Sequence, residues 1–199
     1  MKLFKKNFYI AMTIILSLFL ANCSSSDDKL LDDDDDLQLT APHTYDIKLT
    51  RGDETHHYTG SITDEDNALT MIIEGKDEEG KDTKHLSLII DDGPLKIIGA
   101  FIFDKNGALT PFDFEEDNDE FSSGISITDT DAGFYFASMN GKPVLSNLKN
   151  HYTAQSQGVE VSLISYTLKF NGDFQNANSE NDVLDVYSVA GTIVMSPYR

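Results

Sequence analysis

The chain has few of the residues that form cross-links or covalent active sites. Its 199 residues include one cysteine, Cys23, and no tryptophan. A domain downstream of Cys23 therefore has no disulfide, no cysteine nucleophile and no thiolate metal ligand. The 12 Phe and 8 Tyr residues can supply the large buried side chains instead, and 40% of the chain is hydrophobic, which is enough for a packed core.

Basic residues are also scarce. The chain has 15 Lys and Arg residues against 34 Asp and Glu residues, which gives a formal net charge of −19. A surface this negative repels phosphate backbones, so we predict that the protein does not bind nucleic acid. The same charge argues against a polybasic patch that docks on anionic lipid.

The first 22 residues have the pattern of a secretion signal. Three lysines come before residues 8–20, which are apolar except for Thr13 and Ser17. This run is too short to span a membrane, which takes about 20 apolar residues, but it suits the hydrophobic part of a signal peptide. We predict that residues 1–22 are removed, which leaves 12 basic against 34 acidic residues and a net charge of −22.

The predicted signal ends in a short motif, Leu20-Ala21-Asn22-Cys23. It resembles the lipobox of bacterial lipoproteins, in which an aliphatic and a small residue precede a cysteine whose sulfur carries diacylglycerol. The resemblance implies cleavage before Cys23 and attachment of acyl chains such as palmitate to that residue. Two or more acyl chains hold a protein stably on a membrane, whereas one chain gives reversible binding.

The residues after the cysteine suggest a destination, and they are Ser24, Ser25, Ser26, Asp27 and Asp28. A serine-then-acid segment at this place resembles the export signal of Bacteroidota lipoproteins. That resemblance implies an outer-membrane lipoprotein that faces the cell exterior. Residues 23–41 also include five consecutive aspartates at 32–36. We predict a disordered, flexible acidic tether here, because like charges keep a chain extended and solvated.

From residue 42 onward the pattern is that of one all-β domain. Short apolar or alternating runs are separated by turn sequences such as Asp104-Lys-Asn-Gly107. We predict an antiparallel β-sandwich or barrel of about nine strands over residues 42–199. The predicted strands are 45–49, 57–62, 68–74, 85–90, 95–103, 121–127, 134–139, 159–170 and 183–195. Residues 146–155 are expected to form a short helical turn or a loop.

Acidic loops provide the candidate metal site. Asp129 and Asp131 alternate as the ligands of a calcium loop do, and Gly133 supplies a nearby bend. The full calcium-binding string with a glutamate at its twelfth position is absent. We predict no cofactor other than a calcium ion at Asp129 and Asp131.

Three functions remain for the domain. The leading hypothesis is a non-catalytic binding module for a glycan or a protein, with Tyr135 and Tyr152 as the candidate ligand-binding aromatic residues. The first alternative is a lipocalin-like carrier, which needs an internal cavity for a small apolar ligand. The second is a hydrolase with a pair of carboxyl groups of displaced pKa. Because no Gly-x-Ser-x-Gly motif and no second cysteine exist, we predict that the protein is not an enzyme and assign no catalytic residue.

Overall fold

A computed structural model describes most of the chain beyond the predicted tether. The described residues are 40–64, 67–76, 80–113, 122–156, 159–178 and 185–197. The predicted signal peptide, Cys23, the predicted export signal Ser24–Asp28 and the tether up to residue 39 lie outside them. Within these described ranges, no helix is long and apolar enough to cross a membrane.

The described residues contain ten strands, which confirms the predicted all-β class. They are β1 His43–Arg51, β2 Glu54–Ile62, β3 Ala68–Lys76, β4 Asp82–Asp92, β5 Leu95–Ile102, β6 Phe112–Asp113, β7 Gly124–Asp129, β8 Phe134–Ser156, β9 Val159–Asn176 and β10 Val186–Met195. Strand β6 was not predicted, because a strand of two residues is too short to show an alternating pattern.

The strands form one antiparallel sheet in the order β2-β1-β10-β9-β3-β4-β5-β7-β8-β6, and β8 also pairs with β9. One edge of β9 pairs with β8. The other edge pairs with β3 at residues 160–163 and with β10 at residues 166–175. Strands β9, β3, β4, β5, β7 and β8 therefore close into a ring, from which β10, β1 and β2 extend. This arrangement agrees with the predicted antiparallel sandwich or barrel.

The extension packs back over the ring, and the inward side chains of both parts form one hydrophobic core. Every second residue of β1 is buried from His43 to Leu49, as expected when one face of an antiparallel strand is covered. At the end of this face, the Tyr45 hydroxyl donates a 2.6 Å hydrogen bond to Asp92, the last residue of β4. The five largest fully buried side chains are all aromatic: Tyr166, Tyr187, Phe101, Phe136 and Phe174.

The largest difference from the sequence prediction is the segment 146–155. We expected a helical turn or a loop, but these residues belong to β8 and pair with β9 almost to its first residue. Three β-bulges interrupt β8, between Ser138 and Asn140, between Ser146 and Lys149, and between Asn150 and Tyr152. Each bulge inserts one extra residue and shifts the alternation by one position, so the two-residue period that identifies a strand is lost from the sequence.

Candidate functional site

The outer face of β1, β10, β9 and β8 carries an open depression of about 470 Å³. Two rows of residues in register cross it from strand to strand. The first row is Lys48, Ala190, Asn171 and Lys142, and the second is Asp46, Thr192, Lys169 and Val144. We call Lys48, Lys142 and Lys169, with the depression that they border, the three-lysine face.

The alternation of side chains in each strand places these residues outward. In β1 the buried Tyr45, Ile47 and Leu49 point inward, so Asp46 and Lys48 point to solvent. In β9 the buried Leu168 and Phe170 alternate with the exposed Lys169 and Asn171 in the same way.

Small residues at the centre of the face make the hollow. Ala190 and Thr192 lie on β10, between the lysine-bearing strands β1 and β9. Gly191, between them, points inward, where a Cβ atom would overlap the ring of Phe170. The close packing of Phe170 on the β10 backbone therefore depends on this glycine, and short side chains on either side of it leave the depression open.

The three-lysine face concentrates unpaired positive charge on an acidic protein. Four other described cations have carboxylate partners: Arg51 pairs with Glu54 and Asp185, Lys76 with Asp82, Lys84 with Glu74, and Lys96 with Asp91. Within the part of the chain that the structure describes, Lys48, Lys142 and Lys169 form no such ion pair. The carboxylate of Asp46, the acid in the depression, lies 2.8 Å from Nε2 of His57 and faces that ring.

The spacing of the lysines suits an extended anion better than a single small ion. Lys48 and Lys142 are separated by three strand spacings, roughly 14 Å between backbones at about 4.8 Å per strand. Lys169 lies between them in the neighbouring row. An elongated ligand with several negative groups can therefore contact all three ammonium groups at once.

A second polar cluster lies where β1 ends and where β2 and β10 begin, and its charged groups pair with one another. Arg51 donates a 2.8 Å hydrogen bond to Glu54 and pairs with Asp185, and His56 Nε2 lies 2.9 Å from the other oxygen of Glu54. The hydrogen bond with His56, with further ones from Tyr187 and Arg51, holds the pKa of Glu54 below its usual value. Glu54 therefore stays ionised, which is the opposite of what a general acid needs.

Of the predicted calcium ligands, Asp129 is the last residue of β7 and Asp131 lies in the turn between β7 and β8. Asp129 Oδ1 accepts hydrogen bonds from the backbone N–H groups of Asp131 and Ala132, at 3.1 and 3.0 Å. Burial raises the pKa of the Tyr58 hydroxyl, and the negative charge of the nearby Asp129 carboxylate raises it further. The described residues contain no group of three or more His, Cys, Asp or Glu side chains that could hold a metal ion. The calcium site stays a prediction without a third ligand.

The predicted ligand-binding tyrosines, Tyr135 and Tyr152, do not share a site. They lie near opposite ends of β8, where Tyr135 pairs with Thr128 of β7 and Tyr152 pairs with Leu163 of β9. Tyr152 is exposed, whereas Tyr135 is half-buried. Neither residue lines the depression.

The three lysines were not predicted as site residues from the sequence. The local signal was present in part, because Lys48 and Lys169 each stand between two apolar residues of an alternating strand. Nothing in the sequence indicates that β1, β10, β9 and β8 are neighbours in that order. Comparisons with family models, with curated proteins and with solved structures find no match to this chain.

Proposed function

We propose that the protein is a lipid-anchored module of the outer membrane, facing the cell exterior, that binds an anionic glycan on the three-lysine face without catalysis. The lipobox at Cys23 and the serine-acid segment after it support the anchor and its location. The observation that carries the binding function is the cluster of three unpaired lysines around an open depression, on a chain that would carry a net charge of −22 after processing.

The lining of the depression favours a glycan over a protein ligand. Asn171 and Thr192 offer hydrogen-bonding side chains beside the ammonium groups, which suits sugar hydroxyls and acidic substituents together. A stable protein partner usually needs about 800 Å² of surface on each side, with an apolar centre. The centre of this face is instead formed by Ala190, Thr192 and Asn171.

The carrier alternative has less support, because aromatic rings fill the space between the strands. Phe112 lies 6.2 Å from Phe101, 6.4 Å from Phe170 and 6.1 Å from Phe174, measured between ring centroids. All four side chains are buried. A small apolar ligand would have to displace rings that already contact one another.

The resolved pKa shifts of carboxyl groups in the described residues do not favour the hydrolase alternative. The carboxyl groups with resolved shifts, Glu54, Asp82 and Asp104, all have lowered pKa values, mainly because hydrogen bonds stabilise their ionised forms. Ser146 and Lys149 have the Ser-x-x-Lys spacing that some hydrolases use, but they flank a β-bulge, and Ser146 Oγ donates to the backbone oxygen of Thr167.

Binding to a carboxylated glycan tests the proposal. The probe is a polygalacturonate oligomer, with neutral dextran as the comparison ligand, measured by calorimetry on the lipid-free chain that starts at Ser24. At about 1 kcal/mol for each exposed charge contact, replacing all three lysines (K48Q, K142Q and K169Q) is expected to weaken binding on the order of 100-fold. Binding by the unchanged chain should also weaken as salt rises, because the contacts are exposed.

The matched control replaces three lysines that already have carboxylate partners, as K76Q, K84Q and K96Q. It removes the same charge elsewhere and should change the affinity less than fivefold. Equal losses of affinity in both triple variants, or no binding of polygalacturonate by the unchanged chain, would contradict the glycan site.

The anchor is tested separately with Cys23→Ala. Protease treatment of intact cells should remove the unchanged domain from the cell surface, and the variant should not be bound to cells.

A further inference from the structure

Among the described residues, one edge of β8 has no partner strand over more than half its length. The outer edge of β8 pairs with β7 from Phe134 to Ala137 and with β6 at Asn140 and Gly141. From Lys142 to Ser156, no strand among the described residues pairs with that edge. An open edge presents a row of backbone N–H and C=O groups that can pair with another chain.

The same segment carries the most exposed apolar side chains of the described structure. Val144 is 49% exposed, Leu148 is 42% exposed and Tyr152 is 39% exposed. Tyr152 also stands beside the half-buried Leu163, which pairs with the buried Met71 of β3. Exposed apolar side chains along an unpaired edge are typical of an interaction site.

The spacing of these three residues is self-complementary. Val144 and Tyr152 lie four residues before and after Leu148. When two identical strands pair antiparallel about a two-fold axis at Leu148, that residue faces its own copy and Val144 faces Tyr152. In the same register Lys149 faces Asn147 and Lys142 faces Ala154, so no two lysines stand opposite each other.

We propose that a second copy of this chain docks on the β8 edge, forming a two-fold dimer in which the two Leu148 residues meet. The edge shares Lys142 and Val144 with the three-lysine face, but the dimer does not require that a glycan binds there.

Charge also favours a second copy at this edge over other parts of the surface. Residues 142–156 contain Lys142 and Lys149 but no Asp or Glu, although the chain as a whole carries 34 acidic residues. Two copies that meet here keep most of their carboxylates apart. Because the remaining repulsion is between exposed charges, salt should tighten the dimer, whereas it should weaken glycan binding.

The irregular features of the edge limit the pairing to a closed dimer. Pro143 lacks a backbone N–H, and the bulges at 146–149 and 150–152 twist the strand. Asn147 in the first bulge has a positive φ of 57°, next to the exposed Leu148. These features oppose the long, flat pairing that produces open-ended assemblies. Leu148 itself lies within the first bulge, so the segment that two copies share is short.

Disulfide cross-linking tests the register directly, because the lipid-free chain that starts at Ser24 has no cysteine. In an antiparallel pair, opposite Cα atoms lie about 4.5–5.5 Å apart, which a disulfide can bridge. L148C should therefore form a covalent dimer under mild oxidation. V144C alone should not, because the two copies of residue 144 would be eight positions apart, roughly 26 Å. A mixture of V144C and Y152C should form the mixed dimer.

Sedimentation of the chain without cysteine substitutions gives the second readout. We expect a monomer–dimer equilibrium that Leu148→Asp shifts at least tenfold toward monomer, while circular dichroism and the melting temperature stay unchanged. The proposal is overturned if the unchanged chain stays monomeric up to millimolar concentration. It is also overturned if V144C cross-links to itself as fast as L148C, since that would indicate random collision or another register.

Discussion

The two halves of β8 share one partner strand but differ in burial. Residues 134–141 pair with β9 on one edge and with β7 and β6 on the other, and Phe136 in this half is fully buried. Residues 142–156 pair with β9 alone among the described strands, and most of their side chains are exposed. Burial in this protein therefore follows from how many neighbours a strand has and what packs on it, since pairing with β9 is common to both halves.

The largest expected effect on stability comes from truncating one apolar residue in each half, Phe136 and Leu148. Phe136 packs against Phe134, Tyr187 and His56, with ring centroids 5.3, 5.1 and 5.8 Å away. Phe136→Ala should cost about 3–5 kcal/mol in the free energy of unfolding, because it leaves a cavity in the core. Leu148→Ala should change it by less than about 0.5 kcal/mol, as is usual for an exposed site. Urea unfolding, at a concentration where the chain is monomeric, measures both.

A loss of more than about 2 kcal/mol in Leu148→Ala would break the comparison, because exposed positions rarely cost so much. It would mean that the second half of β8 is packed within its own chain. An equal slope of unfolding free energy against urea in both variants is the control, since it shows that the two unfolding reactions expose similar surface.

The contrast between the halves also explains which parts of the fold the sequence could predict. The first half was predicted as the strand 134–139, because this run is rich in aromatic residues. The strand 45–49 was predicted because its apolar and polar residues alternate. The second half was missed because its bulges and polar side chains remove the alternation, and because a neighbouring strand, not its own pattern, keeps it extended.

The candidate site could be predicted less well than the fold. Lys48, Lys142 and Lys169 are far apart in the sequence and come together only through the register of β1, β10, β9 and β8. Such pairing between distant segments is set by the whole core and has no local signature. Tyr152 was chosen from the sequence as an exposed aromatic residue and is exposed, but its role in binding stays a prediction.

A substitution at the boundary between the halves is expected to give the next largest loss of stability. Gly141 has a φ of 132° and pairs with Gly172, and a Cβ atom on Gly141 would overlap the backbone oxygen of Asn171 and lie 2.7 Å from the Cα of Gly172. Gly141→Ala should therefore cost about 2–4 kcal/mol, from backbone strain and overpacking together. Thermal or urea unfolding measures the loss.

Gly133→Ala is the matched control for the close approach of β8 and β9. Gly133 has a φ of 72°, but a Cβ atom there would meet nothing within 4 Å. Its substitution should cost only the left-handed backbone term, about 1–2 kcal/mol. If the two alanine variants lose equal stability, contact between β8 and β9 at Gly141 and Gly172 does not determine where the two halves meet.

The smallest expected effect lies at the bulge in the exposed half. Asn147 is the non-glycine residue with a positive φ in the described structure, and its Nδ2 lies 3.4 Å from Thr167 Oγ1, a weak hydrogen bond. Asn147→Ala should cost about 1 kcal/mol, because alanine tolerates the left-handed conformation less well than asparagine. Asn147→Gly should stay within about 0.5 kcal/mol of the unchanged chain, since glycine adopts this backbone easily but loses more entropy on folding. If Asn147→Ala leaves the free energy of unfolding in urea unchanged, the bulge geometry is contradicted.

Cross-linking through L148C gives a second test of the same bulge. If Asn147→Ala reduces this cross-linking and Asn147→Gly does not, then the backbone at Asn147 sets how far Leu148 projects from the edge. The exposed half of β8 would then be defined by one backbone conformation, whereas the buried half is defined by packing.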